Sequence, residues 1–219
     1  MMALVNAQPN GQDDERRLIA MGLSTELIHN GLRRGVVRAA NRSSYALKTA
    51  PGTDIYQDGM EDFTELLTAD GWRAVDIEGQ PRLLHPAGLL AFTISSGINV
   101  GKPELHCRLR TRRKGKTTKG SLAPRPQHPV LFGDPVDTAG PVEESASAPF
   151  YFLLCERAGL DGGVYIELAR PAGMTDGGCV NAWSDRIRVG FFPLEGDLSV
   201  FDQPGDDGPD GFDVPVEPR

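Results

Sequence analysis

The stretch Phe150–Glu156 (FYFLLCE) constrains the fold more than any other feature of the chain. As a β-strand it would present large apolar side chains to both faces of its sheet. Such a strand is stable only inside a sheet that is covered on both sides. The chain must therefore supply two layers of cover.

One layer can be read directly. Residues 54–70 place Tyr56, Met60, Phe63 and Leu67 on one side of a helix and Asp58, Glu61, Asp62 and Glu65 on the other. The two sets are centred on opposite sides at 100° per residue. Pro51-Gly52 breaks the chain before this helix, Thr53 or Asp54 can cap it, and Gly71 suits the left-handed position after its end. The acidic side reads as solvated. An earlier helix begins after Ser24, a natural N-cap, and runs to about Ala40. Ile28, Leu32, Val36 and Ala39 share its apolar face, while Arg33, Arg34 and Arg38 fall elsewhere on the circumference. Gly31 and Gly35 weaken it by about 1 kcal/mol each relative to alanine. A shorter helix fits Asp13–Met21, and residues 1–12 read as a flexible N-terminus.

Three short strands follow at Trp72–Ile77, Arg82–His85 and Leu89–Ser96, joined by Gly/Pro turns short enough for an antiparallel meander. After Phe150–Glu156 come alternating segments at Val164–Arg170 and Arg186–Phe192, separated by a Gly-rich excursion over 171–182. The expected fold class is α+β, with N-terminal helices packed on a mostly antiparallel sheet of about six strands. It forms a single domain over 13–199, followed by a disordered acidic tail over 200–219. Residues 97–149 show little periodicity and read as a functional or disordered insertion, with an acidic linker from Asp134 to Pro149.

The formal charge of −7 over 219 residues conceals blocks of opposite sign. Between Lys102 and Arg125 nine bases face the single acid Glu104, a charge of +8. Residues 202–219 carry −5, which leaves −10 for the rest. The three cysteines, Cys107, Cys155 and Cys179, suggest a reducing cytoplasmic setting rather than a disulfide framework. No apolar run reaches the ~18 residues of a membrane span, so a membrane is not an expected partner.

Closely spaced Lys and Arg suit a phosphate backbone, because binding releases condensed counterions. The segment lacks interleaved aromatics, so contact with phosphate rather than stacking on bases is expected. The candidate contacts are Lys102, Arg108, Arg110, Arg112, Arg113, Lys114, Lys116 and Lys119, with Arg33, Arg34 and Arg38 as a second group. The partner is nucleic acid or an acidic protein surface, and the acidic tail could compete for the segment in cis. The expected function is that of a non-enzymatic accessory or regulatory binding protein. Alternatives are a metal-dependent nuclease or phosphotransfer enzyme using Asp76, Glu78 or Glu167, and a protein-assembly subunit without nucleic-acid contact. Asp76 and Glu78 lie two apart at a strand end, about 7 Å from each other.

Other motifs are incomplete. Residues 96–103 and the Gly115-Lys116-Thr117 ending are near-misses to a phosphate-binding loop, and neither precedes an apolar helix in this reading. Residues 16–40 carry a faint helix-turn-helix pattern. His106-Cys107 with His128 or Cys179 lacks zinc spacing. No cofactor is expected, and Trp72 and Trp183 read as core anchors.

Overall fold

Ser24 caps the best-defined helix as its sequence predicts: its Oγ accepts the Leu27 amide at 3.0 Å. In the computed structural model, which describes residues 11–102, 108–122, 148–158 and 162–194, this helix is α2 (Thr25–Ala40). It follows α1 (Gly11–Ala20) and precedes α3 (Ala50–Thr68). The helix α1 begins two residues before the expected start, inside the stretch read as flexible. The helix α3 starts four residues earlier than its spacing suggests, because Pro51 sits in the first turn, where a missing N–H costs nothing. The N-cap is Thr49, without a side-chain bond. Gly71 adopts the expected left-handed conformation, with φ +81°.

The strands are β1 (Arg73–Ile77), β2 (Gln80–Leu84), β3 (Ala91–Ile98), β4 (Arg110–Thr111), β5 (Phe150–Arg157), β6 (Gly163–Met174) and β7 (Val180–Pro193); a short helix, α4 (Lys116–Leu122), lies between β4 and β5. Helices first and strands afterwards make an α+β fold. The sheet is mostly antiparallel and has seven strands in the order β1-β2-β3-β5-β6-β7, with β4 on β3. The β1–β2 turn holds just Glu78 and Gly79, both at positive φ, because Ile77 pairs directly with Gln80. The single parallel pair is β3–β5, in register from Ala91↔Phe150 to Ser96↔Cys155. A parallel pair needs a crossover, and this one contains the basic segment.

The Gly-rich excursion is part of a long hairpin. Strand β6 passes through Pro171 and β7 begins at Val180, with register shifts at Arg170/Pro171 and Pro171/Gly173. Proline cannot donate to a ladder, so bulges at that point accommodate it.

Strand β5 is covered on both faces, as FYFLLCE demands. Tyr151, Leu153 and Cys155 join the core under the helices with Ile28, Leu32 and Phe63. Phe150, Phe152 and Leu154 join a second core with Val100, Leu109 and Val180. The second layer therefore comes from the basic segment and the β6–β7 hairpin. Leu109, Thr111 and Thr118 are each at most 2% exposed, which corrects the reading of an unstructured insertion over 108–122.

The two glycines of α2 mark its close approach to α3. A Cβ at Gly31 would lie 2.6 Å from the Phe63 ring, and one at Gly35 would lie 2.8 Å from Ile55 Cα. Helix propensity alone favours Gly35→Ala by about 1 kcal/mol. We expect the opposite sign: backbone cannot yield as a side chain can, and overpacking costs about 1–3 kcal/mol. Urea denaturation of Gly35→Ala checks this, and a stabilised variant would contradict it.

Candidate functional site

The cationic groups proposed as contacts divide into two populations. Those on α2 are exposed but engaged by groups of the same fold. Arg38 Nη1 donates to Asp58 Oδ1 at 2.8 Å, and Arg34 Nη2 reaches Glu61 and Asp62, both at 2.8 Å. Beyond the helix end, Arg42 Nε donates to Asp54 Oδ2 at 2.8 Å, and Nη2 also binds that carboxylate. The guanidinium holds the Asp54 carboxyl below the ordinary aspartate range. Arg33 stacks over the Phe192 ring at 5.4 Å. Much of the acidic side of α3 is thus an ion-pair seam with α2, with Asp54 and Asp58 each 4% exposed. The pattern was legible as two charge faces but gave no sign that they meet. It also leaves the helix-turn-helix reading without free arginines at 34 and 38.

The second population is different. Residues 108–112 alternate: Arg108, Arg110 and Arg112 are exposed, while Leu109 and Thr111 are buried. On an extended chain this places three guanidinium groups on one face at about 7 Å intervals. The strip is anchored from below. Trp183 Nε1 donates to the Leu109 carbonyl at 2.9 Å, and the Val180 amide donates to Thr111 Oγ1 at 3.1 Å. The alternation RLRTR stands in the sequence, masked by the density of charge. Arg113, Lys116 and Lys119 are also exposed, as is Lys102. None of these side chains has an ion pair among the described residues. Arg125, the acidic linker before residue 148 and the acidic tail lie outside the described residues.

Lys114 departs from its neighbours. Its ammonium turns inward to donate to Ser95 Oγ and lies 5.4 Å from the centre of the Phe152 ring. Burial, with Arg112 nearby, lowers its pKa.

Helix α4 begins directly after Gly115, but it is polar (KTTKGSL) and only seven residues long, so the Gly115-Lys116-Thr117 stretch still precedes no apolar helix. In the 96–103 near-miss, Ser96–Ile98 belong to β3 itself. Glu167 is fully buried and bound by Arg186 Nε and, at 3.0 Å, by Nη2; its Oε2 also accepts the Gly101 amide at 3.0 Å. Asp76 instead accepts the Gly79 amide at 2.7 Å in the β1–β2 turn. Four strand spacings, about 19 Å, separate β1 from β6. The structure does not bring these carboxylates together. Among the described residues no group of three His, Cys, Asp or Glu is placed to hold a metal ion. His106, Cys107 and His128 lie outside them. Trp72 is a core anchor, 5.8 Å from Phe92. No helix among the described residues is long and apolar enough to cross a membrane.

Comparison with protein-family models, curated proteins and solved structures finds no match to this chain.

Proposed function

We propose that the protein is a non-enzymatic accessory binding protein that holds the phosphate backbone of a nucleic acid on the face formed by Arg108, Arg110 and Arg112. Arg113, Lys116, Lys119 and Lys102 extend that face. The observation that carries this reading is the alternation over 108–112: buried Leu109 and Thr111 anchor the strip, and the three arginines that alternate with them have no ion pair among the described residues. An anchored backbone spares the strip the cost of ordering the main chain on binding, and each guanidinium can pair with a phosphate in a bidentate fork. Residues 108–119 carry no aromatic side chain, which favours a contact that reads charge and spacing rather than base identity.

The test is a fluorescence titration of labelled duplex DNA at several salt concentrations. The wild-type chain is expected to bind with a steep negative dependence of log K on log salt. Arg108→Ala/Arg110→Ala/Arg112→Ala should flatten that slope by about 2.7, three phosphate contacts at about 0.9 each. Unfolding midpoints should stay unchanged, since the three side chains are exposed. An unaltered slope in the triple variant, or duplex binding insensitive to salt, would refute the reading. Salt-dependent capture of an acidic protein in place of duplex would transfer the same face to the other partner class.

A further inference from the structure

A cleft of about 670 Å³ lies between the first turns of α3, residues 93–98 of β3, and Arg112 and Lys114; it shares Arg112 with the exposed strip but neither Arg108 nor Arg110. Its volume falls within the range of small-molecule sites, about 300–1,000 Å³. Four cationic residues line it: Lys48, Arg112, Lys114 and Arg157. None of the four has an ion pair among the described residues. Elsewhere the fold supplies counter-charges: Arg34, Arg38, Arg42 and Arg186 each meet a carboxylate.

Lys114 makes the contrast sharpest. Its ammonium is drawn away from solvent, yet its neighbours are a serine hydroxyl and an aromatic ring. A desolvated cation without an anion is costly to hold, and the cost falls when an anion enters. One carboxylate also lines the cleft, Glu156, whose Oε2 accepts the Val100 amide at 2.8 Å, so four cationic side chains face one anionic one. Thr53, Tyr56, Ser95 and Ser96 add hydroxyl groups to the lining. The remaining wall is apolar, with Ile55, Ile94, Ile98 and Phe152.

We infer that this cleft binds a small organic phosphomonoester, with its phosphate held by Lys114 and Arg112 and its apolar body against Phe152 and the isoleucines. A phosphate dianion can accept from a lysine and an arginine at once, and its oxygens match the surrounding hydroxyl donors. The apolar wall distinguishes an organic ester from free phosphate.

The probe is phenyl phosphate, with inorganic phosphate as its control, titrated calorimetrically into the full chain at low salt. Saturable binding of phenyl phosphate is expected, at least about tenfold tighter than inorganic phosphate. Lys114→Met should weaken it by about tenfold or more, the loss of one charge-assisted hydrogen bond. Because Lys114 is half-buried, Lys48→Gln and Arg157→Gln, both at exposed positions, provide a second test and should each weaken binding severalfold. Arg108→Ala/Arg110→Ala lies outside the cleft and should leave phenyl phosphate binding unchanged while reducing duplex binding. Three results would overturn the inference: no saturable binding into the millimolar range, equal affinity for the two phosphates, or wild-type affinity in all three cleft variants. Failure of duplex binding with intact phenyl phosphate binding would remove the proposed function and leave the cleft assignment standing.

Discussion

Replacing Glu167 by alanine is expected to lower the stability of the folded chain by about 3–5 kcal/mol. Glu167 is fully buried on β6, and its two oxygens serve Arg186 of β7 and the amide of Gly101. The arginine reaches onward to the Lys102 carbonyl at 3.5 Å. The variant strips a poorly hydrated guanidinium of its carboxylate and leaves the Gly101 N–H without this acceptor. The turn involved, with Asn99 and Gly101 both at positive φ, lies at the entrance to the basic segment. Urea denaturation of Glu167→Ala provides the measurement. A double replacement, Glu167→Met/Arg186→Met, should recover much of the loss, because removing both charges leaves neither one stranded. A loss under about 1 kcal/mol in the single variant would contradict the account.

Leu109→Ala is expected to cost about 2–5 kcal/mol. Leu109 is 2% exposed and packs in the core beneath Phe150, Phe152 and Leu154. Truncating it opens a cavity under the sheet, and its neighbours are held by β5 and cannot collapse into the space. The flanking Arg108→Ala and Arg110→Ala should each change stability by less than about 0.5 kcal/mol. That difference between adjacent positions, read from chemical denaturation, separates a folded layer from an exposed loop. Equal and small effects at all three positions would mean that the segment carries no structural weight.

Leu109 also shows why part of this fold was legible and part was not. The helices at 25–40 and 50–68 declare themselves because four apolar residues recur at helical spacing in each, a signal contained within about 15 residues. Strand β5 declares itself because nothing but a doubly covered strand accommodates FYFLLCE. The alternation RLRTR is equally regular but only five residues long, with two buried side chains, and its charge density resembles that of a solvated loop. The long β6–β7 hairpin was hidden for a different reason. Glycine and Pro171 weaken local strand preference, and only pairing over eleven residue pairs outweighs them.

The candidate site divides along the same line. That Arg108, Arg110 and Arg112 form one exposed face follows from the burial of two residues between them. That Arg34 and Arg38 do not join them depends on α3, whose Asp58, Glu61 and Asp62 lie at least twenty residues from the arginines they pair with.

The sequence by itself determined the order of helices before strands, the N-cap at Ser24, the need for cover on both faces of β5, and the place of the basic block. Each rests on short-range spacing or on composition, which survive without knowledge of partners. Only the tertiary structure decided what covers the second face, which arginines meet a carboxylate of the same chain, and that Lys114 turns inward to a cleft. Those outcomes depend on which distant residues meet, since a charge is spent or available according to its neighbours in space.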